Sequence, residues 1–263
     1  VTQGEEQESA GRVALLGLGE AGSRLAADLV EAGVEVRGYD PDPAREAPGI
    51  TRAPDPAAAA DGCDAVLSVN TAKAAVEAAE ATLASLRGAV YADANTTSPE
   101  LKRELAELVA GAGAPFVDVA LLGPILKRGL RAPVLASGVG AHAFASLFRP
   151  LGMPVEVISE EAGDAAALKL VRSVFMKGVA AAVVESMQAA EAVGQEKWLA
   201  HEIEALIGRD YLERALTGSR KHAARRVDEM EAACELLQEL GVEPRVAAAS
   251  AAQLAGLAAA TER

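Results

Sequence analysis

The chain has 263 residues, with 25 Lys and Arg against 38 Asp and Glu and a formal net charge of −13 at pH 7. That balance disfavours a nucleic-acid binder, because neutralising phosphates takes a basic surface, so any anion site here must be local. Hydrophobic residues at 51% suit a globular chain with a sizeable core, and aromatic residues at 3% leave that core to Ala-rich helices with Val and Leu rather than to base-stacking platforms.

The chain begins with an acidic stretch carrying Glu5, Glu6 and Glu8, with no basic start followed by an apolar run. It reads as a flexible tail over 1–11 and not as a secretion signal. From 12 to 162, short β-rich runs alternate with amphipathic ones. Strands are expected at 13–17, 34–40, 65–69, 89–93, 115–121, 133–138 and 155–158, and helices at 20–32, 72–86, 98–112 and 141–151. Strands alternating with helices imply parallel pairing with helices on both faces, an α/β doubly wound, mostly parallel sheet. From 163 to 263 no strand signal remains. One long apolar helix is expected from 164 to 192, followed by further helices. The long helix would leave apolar faces wet in isolation, so a homodimer is expected. The Ala-rich run 246–260 is interrupted by Ser250 and Gln253 and is too weakly apolar to span a membrane. Cys63 and Cys234 lack paired spacing and read as reduced thiols of a cytoplasmic protein.

Gly17-Leu18-Gly19-Glu20-Ala21-Gly22 is a G-x-G-x-x-G motif. Alone it is weak, but here it follows an apolar strand, opens a helix and precedes a second strand ending in Asp40, eighteen residues past Gly22. That context predicts a Rossmann dinucleotide site: Gly17 permits the turn, Gly19 admits a pyrophosphate, Gly22 lets helix pack on strand, and the helix N-terminus supplies amides. Asp40 would accept from a ribose 2′-hydroxyl and repel a 2′-phosphate, as would Asp42, so NAD is the expected cofactor and NADP the less favoured one. Arg45 is read as a solvated side chain. Val69, Asn70 and Thr71, and also Asn95, follow strands at their carboxyl ends, where ligands of open α/β sheets bind, and are candidates for the nicotinamide ribose. The segment Thr97-Ser98-Pro99-Glu100 caps a helix.

Within the long helix, Lys169, Ser173 and Lys177 are spaced by four and form one narrow polar line between apolar faces. A solvated face would be wider and would mix in acids. The line is therefore read as facing a cleft, with Lys169 as acid/base, since desolvation brings a lysine toward neutrality. His142 and His201 have no spaced partners, and no Cys, His or carboxylate set has metal-ligand spacing, so no metal is expected.

From residue 12 onward the chain resembles the β-hydroxyacid dehydrogenases and 6-phosphogluconate dehydrogenase. The resemblance rests on VALLGLGEAGSRLAADLVEAGVEVRGYD at 13–40, DANTTSP at 93–99, DVALLGP at 118–124 and GDAAALK at 163–169. MKG at 176–178 and HAARRVDEM at 222–230 suggest a subgroup with a compact helical C-terminal domain. The resemblance implies that Lys169 shuttles the substrate hydroxyl proton during hydride transfer, that Gly123 lies in a substrate loop, and that His222 belongs to a region able to reach a cleft. Where the family has Ser-Gly-Gly this chain has Leu122-Gly123-Pro124, and where an Asn follows the lysine by four it has Ser173. Lys127, Arg128 and Arg131 of the loop and Arg172 and Lys177 of the helix could replace the lost grip, which would suit a small anionic, hydroxyacid-like substrate. Imine reduction on the same scaffold is an alternative that retention of Lys169 argues against, and a catalytically silent NAD-binding sensor or structural dimer is another.

Overall fold

The computed structural model describes residues 11–261. The expected tail, Gly11 apart, lies outside the described residues. The chain divides into two compact units between Ala166 and Ala167.

The first unit runs β1 (Arg12–Leu16), α1 (Glu20–Glu31), β2 (Glu35–Tyr39), β3 (Thr51–Arg52), α2 (Pro56–Ala60), β4 (Ala65–Ser68), α3 (Ala75–Glu80), β5 (Val90–Asp93), α4 (Pro99–Gly111), β6 (Phe116–Leu121), α5 (Ile125–Arg128), β7 (Val134–Ser137), α6 (Ala141–Phe148) and β8 (Val155–Ser159). All eight strands form one sheet in the order β3-β2-β1-β4-β5-β6-β7-β8. Every neighbouring pair is parallel except β6 and β7. Those two are joined through α5 and a 3-10 turn instead of a full crossover helix, which only antiparallel pairing allows.

Alternation along β1 sends Val13 and Leu15 to one face of the sheet and Ala14 and Leu16 to the other, which gives two apolar layers. One layer holds Leu25 and Leu29 of α1 with Phe144 and Phe148 of α6; the other holds Leu105 and Val109 of α4 with Tyr91 and Phe116. Helix α1 buries Gly22, Leu25, Ala26 and Leu29, the spacing of one helical face. Helix α4 starts where Ser98 Oγ accepts from the Leu101 N–H at 3.2 Å with Pro99 in the first turn.

Two expectations need correction. The helix expected over 72–86 is α3 flanked by 3-10 turns at Ala72–Ala74 and Leu83–Ser85. Thr82 breaks it: both its N–H and its hydroxyl donate to the Ala79 carbonyl, at 2.9 and 2.8 Å, closing the chain before an α-turn can continue. The short elements β3, α2 and α5 were not expected. β3 is two residues on the sheet edge, too short to carry a pattern, whereas α2 had a legible start in Asp55, whose side chain caps the Ala58 N–H ahead of Pro56.

The second unit is helical. Helix α7 (Asp164–Ala192) enters it and is followed by α8 (Glu196–Ile207), α9 (Arg209–Lys221), α10 (Ala223–Glu239) and α11 (Arg245–Thr261). Two apolar clusters organise it. Leu170, Met230, Ala233, Leu236, Ala247 and Leu254 tie α7, α10 and α11 together, and Ala180, Val183, Ile203, Leu212 and Ala215 tie α7, α8 and α9. No described helix is long and apolar enough to cross a membrane.

Phe144 is fully buried and stacked on Phe148 with ring centroids 4.3 Å apart. Phe144→Ala is expected to cost about 3–5 kcal/mol of stability, read as a lower urea midpoint at unchanged slope; a midpoint equal to wild type would contradict the assignment of this layer as core.

Candidate functional site

The first unit builds a turn of backbone at the carboxyl end of β1. Gly17 has φ +99°, a conformation that L side chains rarely adopt, and its N–H donates to the Tyr39 carbonyl at 2.8 Å. A Cβ on Gly17 would stand 2.5 Å from Asn70 Oδ1, and one on Gly22 would overlap the Gly17 carbonyl. Gly19 is the N-cap of α1 and brings no side-chain cap, so the first amides of the helix are left for an anion. Leu18 is buried, Ala21 is half-buried, and Glu20 is exposed in the first turn.

Asp40 lies beside this turn and is buried. Its Oδ2 accepts from the Leu18 N–H at 2.7 Å and its Oδ1 from the Asp42 N–H at 2.9 Å. A carboxylate has acceptor capacity beyond those two bonds, so Asp40 braces the turn and can still take a hydroxyl. Arg45 stands 4.0 Å from Asp40 Oδ2 and 3.5 Å from Asp42 Oδ2, its charge held between two carboxylates.

On the other side of β1, Val69 and Asn70 are half-buried and Thr71 is exposed after β4, while Asn95 is buried after β5. Asn95 Nδ2 donates to Ser68 Oγ at 3.0 Å and to Asp93 Oδ1 at 2.5 Å, while its Oδ1 is buried with no hydrogen-bond partner. A cradle that a Cβ would fill, uncapped helix amides and an orphaned amide oxygen together fit a dinucleotide. Farther along the sheet, Leu122 lines an open depression of about 520 Å³ with Leu135, Arg149 and Met153, and Gly123 and Pro124 are exposed.

In the second unit the line on α7 meets a facing line on α10. Lys177 Nζ stands 2.5 Å from Glu229 Oε1 and donates to Ser173 Oγ at 3.0 Å, and Ser173 donates its hydroxyl to the same Glu229 oxygen. Ser173 and Glu229 are buried, and Lys169 and Lys177 are half-buried. Arg226, one turn before Glu229, donates to Ser219 Oγ at 3.0 Å, and Tyr211 donates to the Met176 carbonyl at 3.0 Å. His222 caps the junction of α9 and α10, and Arg172 is exposed on α7.

Burial opposes the charge on Glu229, yet Lys177, the Ser173 hydroxyl and Lys169 bring its carboxyl down to about 2. Burial is the chief cause that lowers Lys177, with Arg226 and Arg225 adding to it, while Glu229 pulls the other way.

The structure thus gathers Ser173 and Lys177 into one network, with the Lys169 charge acting on the same carboxylate. Sequence reasoning missed Glu229. The available signal was the HAARRVDEM segment, in which 222, 226 and 229 repeat at helical spacing on the side of α10 that also buries Met230. Among the described residues no group of three or more His, Cys, Asp or Glu could hold a metal.

The Glu229 carboxyl has a folded-state value of about 2 against an ordinary 4.5. Its contribution to stability is therefore complete above about pH 4.5 and is lost as the pH falls toward 2. Glu229→Gln, which leaves Lys177 buried without its partner, is expected to cost about 3–5 kcal/mol at pH 7. In melting experiments the gap between wild type and variant should close across that acid window; a gap independent of pH would contradict the pairing.

The sequence pattern of the NAD binding domain of 6-phosphogluconate dehydrogenase matches residues 12–141, and a domain of unknown function, DUF1932, matches residues 177–257. An uncharacterized 28.5 kDa protein of Methanothermus fervidus is 28% identical over 233 residues, 86% of this chain and 89% of that one. A structurally characterised conserved protein of unknown function, described as similar to 3-hydroxyacid dehydrogenases, is 32% identical, with a TM-score of 0.73 over 95% of this chain and 98% of that one. The Mycobacterium tuberculosis 3-hydroxyisobutyrate dehydrogenase, solved with L-serine, has the same fold at a TM-score of 0.79 and 21% identity over 95% and 94% of the two chains. The glycine turn, the sheet order and these likenesses agree: the chain belongs to the superfamily of 6-phosphogluconate dehydrogenase and the β-hydroxyacid dehydrogenases, with a helical C-terminal domain.

Proposed function

We propose that the protein is an NAD-dependent oxidoreductase that moves a hydride between nicotinamide and the alcohol carbon of a small anionic, hydroxyacid-like substrate. The observation that carries this reading is the half-buried cluster in which Lys177, Ser173 and Glu229 are joined, with Arg226 one turn away, in a chain of net charge −13. Basic side chains in such a place suit an anion, and a substrate carboxylate or phosphate is the anion that this fold's chemistry would bring.

Bound NAD would supply the hydride acceptor, held by the turn from Gly17 to Gly22 together with Asp40, Val69, Asn70, Thr71 and Asn95. NAD is preferred over NADP because Asp40 and Asp42 repel a 2′-phosphate and Arg45 is engaged with both of them. Lys169 takes the substrate hydroxyl proton as the carbon is oxidised and returns it in the reverse direction. Arg172, Ser173, Lys177 and His222 serve the substrate anion, with Lys177 kept in place by Glu229. Leu122, Gly123 and Pro124 are assigned to substrate contact on the family pattern alone.

A homodimer is part of the proposal. Leu168, Val171 and Phe175 lie along one strip of α7 and are 45%, 46% and 69% exposed, an apolar strip that a second copy would cover. Cys63 and Cys234 are free thiols, in keeping with a reducing, cytoplasmic setting.

Lys169→Ala is expected to cut turnover by about 10² to 10⁴ while calorimetry shows NAD bound as in wild type; unchanged turnover would remove Lys169 from the mechanism. Phe175→Glu is expected to turn a dimer into a monomer in light scattering, and a wild-type chain of monomer mass would end the dimer proposal.

A further inference from the structure

The first unit contains a buried ion cluster that the proposed chemistry does not use. Lys102 sits on the apolar face of α4, with Pro99, Leu105 and Val109, and is 1% exposed. Its Nζ donates to Asp93 Oδ2 at 2.6 Å and to the Asp93 carbonyl at 2.7 Å, and stands 3.1 Å from Asp118 Oδ1. Two of the ammonium's donors are hydrogen-bonded to Asp93, and Asp118 is held by an ion-pair contact. Burial opposes the charge on Lys102, but Asp118 and Asp93 more than offset it and raise its hold on the proton.

Each carboxylate has a second task. Asp118 Oδ2 accepts from the Ala166 N–H at 2.8 Å and from Ser137 Oγ at 3.3 Å, while Ser137 Oγ accepts from the Ala165 N–H at 3.0 Å, so the pair caps the first turn of α7. Asp93 Oδ1 takes the Asn95 amide nitrogen, and Ser68 Oγ takes that nitrogen's other proton. Both amide donors therefore point inward, which fixes the amide plane and leaves Asn95 Oδ1 buried without a donor. Ser68 Oγ also accepts from Asn70 Nδ2 at 3.1 Å, so the network reaches the residue that lies against Gly17.

The sheet order decides which part of a dinucleotide meets this oxygen. With the pyrophosphate at the β1 turn, β2 and Asp40 lie on one side, and β4 and β5 with Asn95 lie on the other. β2 and β5 are three strand steps apart, about 14 Å, a span suited to the two nucleosides of one cofactor.

Resting on the dinucleotide reading above, we infer that Lys102 is a positioning residue for the nicotinamide half of the cofactor: through Asp93 it sets the Asn95 amide so that Oδ1 accepts a hydrogen bond from the nicotinamide riboside. Lys102 itself touches no cofactor atom in this arrangement.

The test compares NAD⁺ with ADP, which lacks the nicotinamide riboside, by titration calorimetry on the full chain. Asn95→Ala and Lys102→Met should each weaken NAD⁺ about tenfold or more while ADP stays within about twofold, the size expected for losing one buried hydrogen bond. The double variant should bind NAD⁺ no more weakly than Asn95→Ala alone, because Lys102 acts through Asn95. Where Lys102→Met does not fold, Asp93→Asn takes its place with the same expectation. Equal losses for NAD⁺ and ADP, no loss for NAD⁺, or additive losses in the double variant would overturn the inference. A wild-type chain that binds neither ligand would overturn the dinucleotide reading and this inference with it, which separates that failure from the others.

Discussion

The ion pair of Lys177 with Glu229, joined by the Ser173 hydroxyl, is the interaction on which the polar interior of the helical unit rests. The Lys169, Arg225 and Arg226 charges also act on this pair. Apolar clusters flank it, with Met230 and Leu170 on one side and Ala180 and Leu212 on the other, so the pair is only weakly screened by water. Removing Glu229 would strand Lys177.

The first unit works by the opposite logic, since its site is mostly backbone. Gly17 and Gly22 are needed because the chain passes too close to itself for a side chain, and the resulting turn presents amides rather than charges. Asp40 contributes to this rigidity by accepting from the Leu18 N–H. Behind the turn, the buried network from Asn70 through Ser68, Asn95 and Asp93 to Lys102 and Asp118 gives the sheet a polar interior held largely by internal hydrogen bonds and ion pairs. Asn95 Oδ1 is a buried acceptor in it that has no hydrogen-bond donor, a place a ligand could complete.

Much of this was legible in the sequence where a local rule applied. The glycine motif between two strands, the Ser98-Pro99 helix start and the 29-residue span of α7 each follow from spacing or capping chemistry that acts within one element. The line 169, 173, 177 was also visible, because residues four apart share a helix face. What the sequence hid are partners brought together by tertiary packing. Glu229 lies 52 residues from Lys177, and its identity as a partner depends on α10 lying against α7. Lys102 had a local signal that was easy to pass over: a lysine at a core-facing position of an amphipathic helix, among Pro99, Leu105 and Val109, requires buried carboxylates to meet it. Asp93, at the end of β5, and Asp118, within β6, both fully buried, were those carboxylates. The break of the expected helix over 72–86 was hidden for another reason, since helix propensity outweighs one threonine until that threonine's hydroxyl commits to a carbonyl.

The central proposal is that the polar cluster of the helical unit holds an anionic substrate for hydride transfer. The most direct measurement is the absorbance of NADH at 340 nm when the protein and NAD are mixed with small hydroxyacids and, in parallel, with their neutral amides. The account predicts NADH formation from at least one carboxylate or phosphate substrate and none from its uncharged counterpart. NAD that binds tightly yet is reduced equally by charged and neutral alcohols, or by neither, would contradict it.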